Sequence, residues 1–301
     1  VRALAIDVGT NTVLGTVGER VGELAEGSLR ILYDEERIVG LGRGVDRTGR
    51  LSPERIEAAL AALTEHVRAA RELGCTTIRA VGTSALRDAQ NRQDFLAPAK
   101  EILGSELEVV SGEREARLTY HGRAVGLPPM PGPVLVVDIG GGSTELVLGH
   151  DHHIASMVSL DIGSVRLFER CLSSDPPSSS ELASLDAIVA DALAGAPASS
   201  GRTMLALAGT ASSVAMLVRG RVEHTHGARL TLSEAEAVAA TLAASSAEVR
   251  RGLPGMIAAR ADVLVAGARI LCAVARWAGV EEFIVSEGGV RHGVLVELLG
   301  V

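Results

Sequence analysis

The chain has 301 residues, 47% of them hydrophobic, and a formal net charge of −8, which suits about two packed domains. Aromatic residues are only 2% and there is no basic tail, so the stacking platforms and cationic grooves of a nucleic-acid binder are not expected. No apolar run reaches membrane-spanning length, the first residues become charged too soon for a secretory segment, and Cys75, Cys171 and Cys272 stand far apart; the expectation is a reduced, cytoplasmic protein.

In chain order, residues 3–8 and 13–18 read as strands around a Gly9-Thr10-Asn11-Thr12 turn. Residues 52–73 read as a helix, with Ser52 as N-cap, Pro53 at the first position and Gly74 past the end. "TTIRAVGTSALRDAQN" runs from strand to loop to helix, "LEVVSG" is a strand, and "EREARLTYHGRAVG" is a helix. The proline-rich segment Leu127–Pro133 fits neither helix nor central strand, and marks a domain boundary. The expected domains are 1–126 and 133–286, with a C-terminal helix near 287–301 packing back on the first.

The second half begins again with a strand, a glycine turn and a strand, "LVVDIGGGSTELVLG". Residues 154–161 add a strand, 173–180 are a polar loop, and an Ala-rich helix follows. "MLALAGTASSVAML" reads as a strand, a tight Gly209-Thr210 turn and a helix start. Residues 233–245 and 262–278 read as helices, "FIVSEGGV" as a strand ending in glycines, and 290–299 as a last helix. Setting "LAIDVG" over "LVVDIG" aligns Leu, Asp and Gly and keeps the other positions apolar, which suggests two copies of one α/β unit.

Glycine turns after strands let main-chain amides converge on an anion. Four occur here, at Gly9 to Thr12, at Gly140, Gly141, Gly142 and Ser143, at Gly209-Thr210, and at Gly288-Gly289. Lys100 is the only lysine, so the lysine-containing P-loop is excluded. Asp7, Asp138 and Glu145 stand beside the loops, where carboxylates would repel a phosphate unless a cation came between them; Mg²⁺ suits that place. Spacing alone does not choose among Glu113, Glu115 and their neighbours as a general base.

The segments "LAIDVGTNTVLGTV", "AVGTSALRDAQNRQDFL", "VVSGEREARLTYHG", "VLVVDIGGGSTELVLG", "LDIGSVRLFE", "ALAGTASSVAML", "RADVLVAGARIL" and "IVSEGGVRHGVL" follow one another along the whole chain. In this order they resemble the exopolyphosphatase/guanosine pentaphosphate phosphatase (Ppx/GppA) family, in a short two-domain form. The resemblance implies an α/β protein of two ribonuclease H-like domains, of the actin-like and acetate/sugar-kinase superfamily, with an interdomain cleft. It implies Mg²⁺-dependent hydrolysis of a terminal phosphoanhydride, with inorganic polyphosphate or guanosine pentaphosphate as substrate. It places the catalytic acid at Glu115 and a second functional carboxylate at Glu145. Phosphate contacts fall to Gly9, Thr10, Asn11, Thr12, Arg87, Gly140, Gly141, Gly142, Ser143, Arg166, Gly209 and Thr210, and metal contacts to Asp7, Asp138 and Glu145. A homodimer is the family expectation.

The family often has Arg-Glu-Gly where this chain has Arg291-His292-Gly293, and His292 is read as a surface replacement. The turns "GHDHH" and "HTHG" are read first as loops, and Arg43, Arg47 and Arg50 as a solvated face. A binding regulator without turnover, or a small-molecule kinase of the same superfamily, are the rival classes; retention of Glu115, Glu145 and every loop argues against the first.

Overall fold

Strand β1 (Arg2–Val8) alternates small and large side chains, and the alternation decides what covers each face of its sheet. Leu4, Ile6 and Val8 point into a core with Leu63, Leu86 and Phe95, whereas Ala3 and Ala5 point into a second core with Leu118, Val294 and Leu295. The computed structural model describes residues 1–22, 28–197 and 203–301, in two units: Val1–Val125 with Gly288–Val301, and Gly126–Glu287.

In the first unit β1 pairs antiparallel with β2 (Thr12–Val21), and β2 with β3 (Ser28–Ile38). Helices α1 (Val45–Thr48) and α2 (Pro53–Glu72) follow. Ser52 caps α2 by accepting from the Arg55 amide, with Pro53 at the first position. Strand β4 (Thr77–Gly82) joins β1 in parallel, and the two-residue β5 (Glu108–Val109) joins β4, giving the order β3-β2-β1-β4-β5. Helices α3 (Ser84–Asp88), α4 (Gln93–Leu103) and α5 (Gly112–Gly122) complete this stretch.

The second unit repeats the plan. Strand β6 (Val134–Ile139) pairs antiparallel with β7 (Thr144–His150), which pairs with β8 (His153–Leu160). After α6 (Ser164–Cys171) and α7 (Ser179–Ala194), strand β9 (Thr203–Leu207) joins β6 in parallel and leads into α8 (Ala208–Arg219). Strand β10 (Arg229–Thr231), helices α9 (Leu232–Ala244), α10 (Ala247–Arg251) and α11 (Leu264–Ala278), and strand β11 (Glu282–Val285) finish a sheet of order β10-β11-β9-β6-β7-β8. Both sheets thus share three antiparallel strands followed by two parallel ones, the ribonuclease H-like plan of the actin-like fold.

The last helix, α12 (Val290–Leu299), lies in the first unit. Its Val290, Val294, Leu295 and Leu299 are buried with Ala3, Ala5 and Leu118, so α5 and α12 together close that face of the sheet. Each such aliphatic side chain contributes about 1.5–3 kcal/mol on burial. The approach of the two helices is set by glycine: a Cβ on Gly293 would overlap the carbonyl of Leu118, and one on Gly122 the carbonyl of Gly289.

Two sequence expectations change here. Gly209 and Thr210 are not a turn before a helix but lie within the first turn of α8; Ala208, at φ 64°, makes the reversal instead. His292 is not a surface residue. It is 4% exposed, because the first turn of α12 packs on α5 and aims the imidazole at Asp34 of β3, with Nε2 3.8 Å from Oδ2. The His150–His153 segment is a hairpin turn between β7 and β8, and Arg47 and Arg50 are exposed, with Arg43 half-buried. Among the described residues no helix is long and apolar enough to cross a membrane.

Candidate active site

In each unit the loops that carry the candidate residues leave one edge of the sheet, the carboxyl ends of the parallel strands, where open α/β sheets bind ligands. In the first unit these are the ends of β1, β4 and β5. The β1–β2 loop closes by a hydrogen bond from the Gly9 amide to the Thr12 carbonyl at 2.9 Å. Thr10 is 7% exposed, and its Oγ1 and the Asn11 Oδ1 are buried with no hydrogen-bond partner among the described residues. Such a pair of orphaned polar atoms costs stability unless a ligand meets it. Asp7 precedes the loop and is 9% exposed. Arg291 at the start of α12 lies in the field of Asp7, and its guanidinium holds Asp34 through two bonds, Nε to Oδ1 at 2.8 Å and Nη2 to Oδ2 at 3.0 Å. Burial pushes the Asp34 carboxyl up, but Arg291 beside it outweighs that and holds it below the usual range.

Past β4, Arg87 in the last turn of α3 reaches two groups. Its Nη1 donates to the Val110 carbonyl at 3.1 Å and to Glu115 Oε2 at 2.5 Å. Glu115 is 7% exposed, in the first turn of α5, whose N-cap Ser111 accepts from the Arg114 amide. The helix amino terminus and the guanidinium both favour the carboxylate there. No local pattern in the chain signals that Arg87 and Glu115 touch; it is the short β5 beside β4 that brings α3 and α5 together.

The second unit presents its loops at the ends of β6, β9 and β11. The Gly140 amide donates to the Ser143 carbonyl at 3.0 Å, the same closure as in the first unit. The loop is braced from behind by α6: Ser164 and Val165 amides donate to Gly140 and Gly141 carbonyls, and Arg166 Nε donates to the Gly142 carbonyl at 2.6 Å. A Cβ on Gly163 would stand 2.5 Å from the main chain of Gly141, so glycine is required for this close approach. Arg166 therefore grips the glycine loop itself. Asp138 and Glu145 face each other across β6 and β7 in register, and both are buried, Glu145 accepting from Ser159 Oγ at 2.7 Å.

Helix α8 begins without a capping side chain, whereas α7 and α9, with no role in these loops, carry full capping boxes at Ser178/Glu181 and Thr231/Glu234. No side chain satisfies its first amides, the condition under which a helix amino terminus can take an anion. Thr210 uses its hydroxyl on the Ile139 carbonyl at 3.1 Å, which ties α8 to the glycine loop. Arg260 was not foreseen as a site residue. It is 6% exposed, donates to Ser213 Oγ at 3.3 Å, and lies against Gly209 so closely that a Cβ there would overlap its guanidinium. The only sequence signal was its place at the head of "RADVLVAGARIL".

Among the described residues no three of His, Cys, Asp or Glu converge on one point. The donor sets fit an ion held by one or two carboxylates per loop and completed by substrate oxygens and water, as Mg²⁺ is held.

Two loops of this design, on two sheets of one plan, define a phosphoryl-handling protein of the actin-like fold. The sequence pattern of the Ppx/GppA phosphatase family matches residues 20–301, and the chain belongs to that family. It is 36% identical to exopolyphosphatase 2 of Mycobacterium tuberculosis over 99% of both chains. It is 31% identical to the guanosine-5′-triphosphate,3′-diphosphate pyrophosphatase of Aeromonas hydrophila over 98% of this chain, which spans 59% of that longer relative. The crystal structure of the Aquifex aeolicus family member superposes with a TM-score of 0.82 at 32% identity, over 99% of this chain and 97% of the other.

Proposed function

We propose that the protein is an exopolyphosphatase: it hydrolyses the terminal phosphoanhydride of inorganic polyphosphate and releases orthophosphate. The buried Arg87–Glu115 ion pair at the strand ends carries this reading within the molecule. Glu115 takes a proton from the attacking water as its oxygen bonds to the terminal phosphorus, and the bond from that phosphorus to the bridging oxygen breaks. The shortened chain leaves as the anion. A base so placed supplies about 10²–10⁴ in rate.

Main-chain amides of the Gly9 and Gly140 loops and of the first turn of α8 bind phosphate oxygens, and Arg260 adds charge beside Gly209. The carboxylates that would hold Mg²⁺ are Asp7 beside the first loop, whose polar lining Thr10 and Asn11 complete, and Asp138 with Glu145 beside the second. When bound, the ion neutralises phosphate oxygens whose charge grows in the transition state. A second reading, phosphate release from guanosine pentaphosphate, is favoured by the Aeromonas relative. The scarcity of aromatic side chains for a guanine base leans toward polyphosphate. The homodimer and the cytoplasmic location belong to the same proposal, the first to be read by light scattering.

Phosphate release from short polyphosphate, long polyphosphate, guanosine pentaphosphate and ATP, each with Mg²⁺ and with chelator, tests it. The expected result is fastest release from polyphosphate, abolished by chelator. Preference for guanosine pentaphosphate would install the second reading, and release from none of the four would overturn both.

A further inference from the structure

The segment 39–51, between β3 and α2, is tied at one end to the Gly9 loop and at the other to the turn that follows α3, the helix carrying Arg87. At the first end the Val39 and Gly40 amides donate to the Asn11 carbonyl at 2.9 and 2.8 Å, and the Gly42 amide donates to the Thr10 carbonyl at 2.8 Å. A trans peptide is planar with its N–H opposite its C=O, so these bonds also set the direction of the amides that follow in the loop. At the far end the Gln90 amide donates to the Gly49 carbonyl at 2.9 Å. The Asn91 side chain closes on the Leu51 main chain twice, Oδ1 accepting from the amide at 2.8 Å and Nδ2 donating to the carbonyl at 3.1 Å.

Between these ties the segment has little freedom. Leu41, Val45 and Leu51 are buried in the core that also holds Leu86, Ala89 and Phe95. Arg55, in the first turn of α2, donates from Nη1 to the Val39 carbonyl at 3.0 Å. Gly42 is the point of closest approach. It stands between Thr10 of the loop and Ala85 of α3: a Cβ there would overlap the Thr10 methyl and lie 3.0 Å from the Ala85 Cβ. Unlike Gly40, Gly44 and Gly49 it has no left-handed φ, so what excludes a side chain is space.

We infer that the segment 39–51 is a strap that fixes the separation between the Gly9 loop and the Arg87–Glu115 pair, with Gly42 and Asn91 as positioning residues. Gly42 sets how near α3 comes to the loop, and Asn91 holds the far end of the strap to the turn after α3. Hydrolysis needs the terminal phosphorus, bound by the loop, in line with the water that Glu115 deprotonates. A misplacement of about 1 Å in such a geometry costs about 10²-fold in rate. The strap's part rests on the roles proposed for the loop and for Glu115, and not on which of the two substrates is cleaved.

The test is steady-state kinetics of the full-length protein and its Gly42→Ala, Thr10→Ser, Gly42→Ala/Thr10→Ser and Asn91→Ala variants. Polyphosphate and guanosine pentaphosphate are the substrates, well below the melting temperature, with rates expressed per folded molecule from circular dichroism. Gly42→Ala is expected to lower kcat by about 10–100-fold on whichever substrate is cleaved, while KM changes by less than about threefold. Thr10→Ser removes the methyl that is in the way and keeps the hydroxyl. Compared with Thr10→Ser alone, the double variant should therefore show a much smaller loss than Gly42→Ala shows against the unmodified protein. Asn91→Ala should lower kcat by about tenfold with the same small change in KM, and it carries the test should Gly42→Ala not fold. A lowered melting temperature with kcat per folded molecule unchanged would overturn the strap, as would a rise in KM with kcat kept, or no rescue by Thr10→Ser. No phosphate release from either substrate by the unmodified protein would instead overturn the proposed hydrolysis itself.

Discussion

The two glycine loops are near copies in their main chain and differ in what faces them. Each closes with an amide-to-carbonyl bond, Gly9 to Thr12 at 2.9 Å and Gly140 to Ser143 at 3.0 Å, and a Cβ on Gly9 or on Gly140 would meet the same carbonyl at 3.2 Å. Across the strand pair, however, Asp7 faces Leu14, whereas Asp138 faces Glu145. The parallel strands diverge too. Helix α5, after β5, brings Glu115, while α12, after β11, belongs to the first unit again and takes Arg291 and His292 to Asp34 there. A duplicated frame supplies two glycine loops, and a few side chains then set them apart: a paired acid and guanidinium in the first unit, two acids in register in the second. The main-chain cradle is general, and the chemistry is local to what stands beside it.

The largest effect expected from disturbing this division is at Glu115. Glu115→Gln should fold, bind substrate and lose turnover by about 10²–10⁴, measured as phosphate release; near-normal turnover would remove Glu115 from the role. Next is the acid that the first unit lacks. On the proposed metal contact, Glu145→Gln should lower activity by about 10–100-fold and raise the Mg²⁺ concentration needed for half-maximal rate. A pure loss of folded protein without that shift would make Glu145 structural.

A glycine comparison is third. Gly163→Ala forces a side chain against the main chain of Gly141 at 2.5 Å and should destabilise the second unit by about 1–3 kcal/mol. Gly209→Ala displaces the buried guanidinium of Arg260, a side-chain end rather than main chain, so it should lower the melting temperature less than Gly163→Ala does and raise KM more. The reverse ranking by thermal melts and kinetics would break the assignment of Arg260 to binding.

The smallest effect is in pH. His66 is fully buried in the first unit, with Nδ1 2.8 Å from the Tyr33 hydroxyl, and burial lowers its pKa. The unfolded chain therefore takes up a proton near pH 6.5 that the native unit resists, and stability falls as pH is lowered through that value. Melting temperatures at pH 5 and 8 should differ in that sense, with the difference reduced in His66→Gln.

Much of this was legible in the chain because it is written in local chemistry. Ser52 before Pro53 signals a helix start by the hydrogen bond it makes, and Asp138 with three glycines signals a loop with no room for side chains. What was hidden depends on partners distant in sequence. His292 became buried because α12 presents that side to α5, a rotation that no local pattern specifies. The reversal at Ala208 was read one residue late, since glycine rather than alanine is the expected left-handed residue. Arg260 stands against Gly209 from across some fifty positions of chain, so its place showed only in the fold.

The position of α12 also bears on how the molecule is made. The second unit is continuous from Gly126 to Glu287, whereas the first needs Gly288–Val301 to cover Ala3, Ala5 and Leu118. During synthesis the segment that emerges first must wait, one apolar flank bare, until the middle of the chain has already been able to collapse on its own. A nascent protein of this kind would owe its greatest exposure to chaperones and proteases to its amino-terminal half, even though that half leaves the ribosome earliest.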